Sequence, residues 1–135
     1  MIFYLDSSVV LHAIQVGSHR VGVRDWLRER LLRGDSFVSS LLLRTEVIRV
    51  LRRDGLPLSD AAPILDRVRL YDLSNLVATT AESFEKHIKT LDALHLATLI
   101  EINSFMTLAS HDKNMLRAAQ QLGLTTVDPV AELIA

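Results

Sequence analysis

Four acidic residues occupy positions where a carboxylate needs an explanation. Asp92 stands near the start of KTLDALHLATLIEIN, residues 89–103, where Leu94, Leu96, Ala97, Leu99, Ile100 and Ile102 point in nearly every direction on a 3.6-residue period. That is the pattern of a helix enclosed by protein on most sides. With Leu96 and Leu99 at i+4 and i+7, the Asp92 carboxylate falls on an apolar face, where an unpaired charge is costly. Glu46 repeats the arrangement in SLLLRTEVIRVLRR, with Leu42, Leu43 and Val50 at i−4, i−3 and i+4. Asp6 directly follows the apolar run IFYL, and Asp112 follows FMTLA with only Ser110 and His111 between. Each of the four also has a plain structural reading. Asp6 and Asp112 are good helix N-caps, Asp92 is a first-turn acid favoured by the helix dipole, and Glu46 has Arg49 at i+3 and Arg53 at i+7 as ion-pair partners.

Taken together the plain readings become strained, because two inward acids on helices and two acids at strand ends are what a shared acidic pocket requires. Two carboxylates ~5 Å apart at an effective dielectric of ~20 repel by roughly 3 kcal/mol, and further acids multiply the cost. A cation must compensate. Oxygen donors without Cys or a His pair at ligand spacing point to Mg²⁺ or Mn²⁺, held by a few carboxylates and waters. Such ions polarise phosphoryl oxygens, activate water and clamp an in-line displacement, so the matching chemistry is phosphodiester hydrolysis.

The elements that must position these acids read as short apolar strands alternating with helices. IFYL, SFVS, RLYD, FMTLA and TTV are the strand candidates. SSVVLHAIQ is a helix stopped by Gly-Ser, HRVGVRDWLRERLLRG an amphipathic helix closed by Gly34, and SLLLRTEVIRVLRR a third. LSDAAPILDRV and LSNLVATTAESFEKHI read as helical, as do the segment after Thr90 and DKNMLRAAQQLG with its Gly123 stop, before a final turn from Pro129. This alternation predicts an α/β fold with a mainly parallel sheet, in one domain spanning residues 1–135, without repeats or linkers. Asp6 and Asp112 then lie at the carboxyl ends of strands, where open parallel sheets bind ligands.

Composition limits the alternatives. The chain has 135 residues and 49% hydrophobic content, enough for a core without staples, and it has no cysteine, which excludes disulfides and thiolate metal sites. Asp6 breaks the N-terminal apolar run, and no uncharged apolar stretch is long enough to span a membrane, so a soluble, unprocessed, cytoplasmic protein is expected. The formal net charge of −1 hides a polarity: residues 1–53 carry net +4, with nine Arg and no Lys, and residues 54–135 carry net −5. The Arg-rich half is either a phosphate-facing surface, with Arg49 and Arg53 as its first candidates, or a set of solvated helix faces. His12, His19, His87 and His95 show no metal-ligand spacing in sequence, and Trp26 reads as a core or interface anchor.

In order and spacing, YLDSSVVL, SSLLLRTEVIRVLRR, LDALHLATLI and SHDKNMLRAAQQLGL followed by VDP resemble the motifs of PIN-domain ribonucleases of the VapC toxin type. The resemblance spans almost the whole chain and implies a three-layer α/β/α sandwich with a short, mainly parallel central sheet. It implies an Mg²⁺- or Mn²⁺-dependent endoribonuclease using metal-activated water, with Asp6, Glu46, Asp92 and Asp112 as the acidic quartet. Ser110 then stands at the hydroxyl position two residues before the last acid, holding water or Asp112, and Ser8 fills a similar role after Asp6. Lys89 replaces an Arg often found there, near an RNA phosphate or the antitoxin, and His111 replaces an aromatic residue. The implied partners are RNA, an antitoxin whose C-terminal segment covers the active-site groove, and a second copy of the chain in a homodimer. A PIN nuclease of RNA processing without an antitoxin, or a non-catalytic RNA-binding PIN module, is the alternative. Phosphatase and receiver readings fit less well, because the position two residues after Asp6 is Ser8 and Asp6 has no acidic neighbour.

Overall fold

The structure, a computed structural model, describes residues 1–134 except Val16, Ser18 and Lys86. Ser18 of the expected Gly-Ser stop and Lys86 of the expected LSNLVATTAESFEKHI helix lie outside the described residues. Five strands, β1 (Ile2–Leu5), β2 (Ser36–Ser40), β3 (Val68–Tyr71), β4 (Thr107–Ala109) and β5 (Thr125–Val127), form one sheet in the order β3-β2-β1-β4-β5. Every pairing is parallel, with Phe3 opposite Phe37 and Thr107, and Leu5 opposite Ala109. Strands of such a sheet are buried on both faces, which is why they read as continuous apolar runs.

The helices are α1 (Ser7–Ile14), α2 (Arg20–Leu32), α3 (Leu41–Arg53), α4 (Ala62–Leu65), α5 (Asn75–Glu82), α6 (Thr90–Asn103), α7 (Lys113–Gln121) and α8 (Pro129–Ile134). Alternation along β1 divides the core. Phe3 and Leu5 face a cluster that contains Val10, Ala13, Trp26, Leu43, Val47 and Leu51 from α1, α2 and α3. Tyr4 faces the opposite cluster, with Leu96 and Leu99 of α6 and Met115 and Ala119 of α7. These layers make the α/β/α sandwich. Helices α2 and α7 are each followed by one residue, Arg33 and Leu122, and then by Gly34 and Gly123, whose φ values of 86° and 79° suit a left-handed C-terminal glycine. Trp26 is buried against Phe3 and donates from Nε1 to Glu132 Oε2 at 2.6 Å, a core anchor.

Two expected helices are shorter than their apolar spacing suggests. In LSDAAPILDRV a single 3-10 turn at Leu58–Asp60 precedes the four-residue α4, because Pro63 lacks an N–H and fits only a helix's first turn. Helix α5 stops at Glu82, yet Phe84 and Ile88 still pack against the second cluster from non-helical backbone. Their spacing reflected burial and not a helical period. Among the described residues, no helix is long and apolar enough to cross a membrane.

Candidate active site

Strand order reverses at β1. The chain runs outward from β1 to β2 and β3, then returns to the other side of β1 as β4, so the crevice of an open sheet lies past the carboxyl ends of β1 and β4. Asp6 leaves β1 at this point, and Ser110, His111 and Asp112 leave β4 beside it. Helix α3, which follows β2, brings Glu46, and the first turn of α6 brings Asp92.

Asp6 is buried and holds the N-cap position of α1, but its side chain makes no capping hydrogen bond. Instead its Oδ2 accepts from Ser8 Oγ and from Ser110 Oγ, each at 2.8 Å. Both hydroxyls are themselves tied to the neighbouring loop: Ser8 Oγ accepts from the His111 amide at 2.9 Å, and Ser110 Oγ from the Asp112 amide at 3.0 Å. Ser110 therefore links the backbone of one acid to the carboxylate of another. Asp112 caps α7, its Oδ1 accepting from the Asn114 and Met115 amides at 2.8 and 3.3 Å, so the capping interpretation is correct for this residue while Oδ2 receives no such bond.

The electrostatics couple the quartet. Asp92 is half-buried, and its carboxyl is pushed up to about 6, first by burial and then by the charges of Asp6 and Asp112, with Glu46 adding to the shift and His95 opposing it. Glu46 is not paired with Arg49 or Arg53. Its Oε1 lies 2.6 Å from Nε2 of the buried His95, whereas Arg53 bonds Asp54 at 2.9 Å and Arg49 is exposed. Lys89, immediately before α6, is exposed and lines a groove shared with Asp92, Asn114 and Arg117.

His95 and Arg117 escaped the sequence reading because their neighbours are distant in the chain. The available signal for His95 was its place three residues after Asp92 on an otherwise enclosed helix. Three of the other four histidines also cluster in space without sequence spacing: the rings of His12 and His111 are 4.7 Å apart, and His19 is 6.2 Å from each. His111 Nδ1 contacts Asp128 at 3.0 Å, and His12 Nδ1 contacts the Ser8 carbonyl at 2.8 Å, so these rings form a rim beside the serine knot.

Among the described residues, no group of three or more His, Asp or Glu side chains is already placed to hold a metal ion. Zinc takes three or four protein ligands, whereas Mg²⁺ keeps several waters and needs one or two carboxylates. The oxygen-only character of the quartet and the repulsion felt at Asp92 fit such a hard cation.

A family model for the PIN domain matches residues 3–121. Ribonuclease VapC47 of Mycobacterium tuberculosis is 28% identical over 132 residues, covering 95% of this chain and 97% of that protein. Ribonuclease VapC35 of the same organism is 30% identical over 135 residues, covering 93% and 96%. Among solved structures, VapBC2 from Rickettsia felis bound to a promoter DNA fragment superposes with a TM-score of 0.75 at 17% identity, over 95% of this chain and 98% of that one. The sarcin-ricin loop cleaving toxin VapC20 of M. tuberculosis gives 0.69 at 17% identity, over 94% and 99%. At such identities the structural likeness concerns the fold.

Proposed function

The chain belongs to the PIN-domain family, and on that premise we propose that it is a metal-dependent endoribonuclease acting as the toxin of a toxin–antitoxin pair. The observation that carries the reading is the electrostatic coupling at Asp92, whose carboxyl is pushed up to about 6 by burial and by the charges of Asp6 and Asp112, with Glu46 adding to the shift. The names of the curated relatives, ribonucleases that align along nearly the whole chain, support RNA as the substrate.

Asp6, Glu46, Asp92 and Asp112 are the residues that would hold Mg²⁺ or Mn²⁺. Bound there, the ion would offset their charge, polarise a phosphodiester oxygen and make water a stronger nucleophile. The protein's own contribution is aim. Ser8 and Ser110 fix the Asp6 carboxylate, the α7 amides fix that of Asp112, and the packed helix α6 fixes the backbone of Asp92. Lys89 and Arg117, which line the groove together with Asp92, would bind the RNA backbone on one side, with Arg49 and Arg53 of α3 as further phosphate contacts.

The proposed protein partner is an antitoxin whose C-terminal segment covers the crevice. Its support is that solved structures of the same fold include toxin–antitoxin complexes from Rickettsia felis and Klebsiella pneumoniae. A homodimer is proposed with it, and light scattering of the purified chain reads that directly. The test of the activity is incubation of antitoxin-free protein with a mixed RNA pool in Mg²⁺, Mn²⁺ or EDTA, beside Asp6→Asn. Discrete internal cuts that need the ion and Asp6 support the reading; cleavage that persists in EDTA, or in the variant, defeats it.

A further inference from the structure

We propose that Tyr4 and His95 form a buried positioning pair that aims the Glu46 carboxylate into the crevice; the inference rests on the nuclease reading above. Tyr4 Oη on β1 lies 2.7 Å from His95 Nδ1 on α6, and His95 Nε2 lies 2.6 Å from Glu46 Oε1 on α3. Tyr4 and His95 are 0% and 1% exposed. Tyr4 and α6 belong to the core on one face of the sheet and α3 to the core on the other, so this chain of hydrogen bonds joins the two helical layers at the site.

The donors determine where the proton sits. An ionised carboxylate only accepts, so the imidazole nitrogen facing Glu46 carries a proton whatever the state of Nδ1. Turning the ring over would place carbon against the carboxylate and lose the Tyr4 contact as well. Burial keeps the Tyr4 phenol protonated, above its ordinary range. The neighbouring Ser39 and Thr98 hydroxyls donate to the Leu5 and Leu94 carbonyls, each at 2.7 Å, and do not compete to donate to the His95 ring.

A glutamate on a helix otherwise retains several side-chain rotamers, and ordering it costs entropy at the moment a cation or phosphate arrives. Holding Oε1 in advance leaves Oε2 as the oxygen available to the site. Carboxylates that ligate metals are hydrogen-bonded in this way, and losing such a partner typically costs about 10- to 100-fold in metal affinity or activity. His95 is thus a positioning residue that acts through Glu46.

Two substitutions of similar polarity separate this role from that of a satisfied core histidine. His95→Gln places its amide nitrogen where Nε2 lies and keeps a donor for Glu46, whereas His95→Asn reaches only as far as Nδ1 and serves Tyr4 alone. Mn²⁺ is titrated without RNA, with free ion followed by paramagnetic resonance, and cleavage gives kcat and KM separately. His95→Asn is expected to weaken Mn²⁺ binding about 10- to 100-fold and to lower kcat with KM little changed, while His95→Gln stays within about threefold. In proton spectra the parent shows an exchange-protected imidazole N–H that is lost in His95→Asn and shifts in Tyr4→Phe and Glu46→Ala. Equal effects of Gln and Asn, or no protected N–H in the parent, overturn the proposal. If the parent neither binds Mn²⁺ nor cleaves RNA, the nuclease reading fails by itself and the protected N–H alone decides: its presence, with those changes in the variants, upholds the positioning pair, and its absence rejects it.

Discussion

Asp6 and Asp112 start from the same local pattern, an acid between an apolar strand and a helix, and end in different geometries. Asp6 is buried, does not cap α1, and accepts from two serines, one of them 104 residues away. Asp112 is exposed and caps α7 through its nearest amides. The difference arises from what stands across the switch point. Beside Asp6 the returning β4 strand delivers Ser110 into hydrogen-bonding range, and a carboxylate that gains two hydroxyl donors gives up the local amides. Beside Asp112 the local amides are the donors at hand. An acid serving as N-cap and an acid serving in a pocket are therefore compatible roles, and a short stretch of sequence cannot separate them.

The largest effect that sharpens this comparison is on catalysis. Asp6→Asn and Asp92→Asn are each expected to slow Mg²⁺-dependent RNA cleavage by at least about a hundredfold, near 3 kcal/mol of transition-state stabilisation. Initial rates on a single RNA substrate read this, and parental rates in either variant would remove that acid from the site. Ser110→Ala is expected to cost less, about tenfold, because it loosens Asp6 without removing it. If Ser110→Ala were as slow as Asp6→Asn, Ser110 would touch the reacting atoms itself.

Stability separates the two acids further. Asp112→Ala removes the α7 cap and is expected to cost about 1 kcal/mol, a few degrees in melting temperature, whereas Asp112→Asn keeps a capping oxygen and melts close to the parent. Equal melting of the Ala and Asn variants would show that the cap contributes nothing. A smaller effect concerns the basic flanks. Lys89→Ala and Arg117→Ala, beside Asp92, and Arg49→Ala and Arg53→Ala, on α3, are each expected to lower the salt slope of RNA binding by about one unit or less. An unchanged slope in any of them returns that side chain to a solvated face; for Arg53, already bonded to Asp54, this is the variant most exposed to that outcome.

The alternation of strands and helices was legible because parallel strands are buried on both faces and leave continuous apolar runs. The end of α5 was not, since Phe84 and Ile88 keep helical spacing while docking from irregular backbone. Of the site, the inward acids were visible as charges on apolar faces. Their partners were not. Glu46 had two arginines within reach along its own helix, yet it bonds His95 from another layer, and nothing local distinguishes those choices. The histidine rim of His12, His19 and His111 was hidden for the same reason, being assembled from three separate segments.

The central claim is that the four acids share one field, and Asp92 reports on it. Its folded carboxyl is pushed up to about 6 from an ordinary value of 3.8, so the folded state binds that proton more tightly than the unfolded chain does. The stability this group contributes is therefore complete below 3.8 and is lost as pH rises through about 6. After allowance for solvent screening of a half-exposed carboxylate, the loss is about 1 kcal/mol. Thermal melts of the parent and Asp92→Asn in EDTA, from pH 4 to pH 8, measure it, with a second series in millimolar Mn²⁺. The shared field predicts that the variant melts a few degrees above the parent near neutral pH, that this advantage vanishes toward pH 4, and that Mn²⁺ raises the parent more than the variant. A variant less stable than the parent at every pH, with equal Mn²⁺ response in both, would make Asp92 a helix-start acid and contradict the shared site.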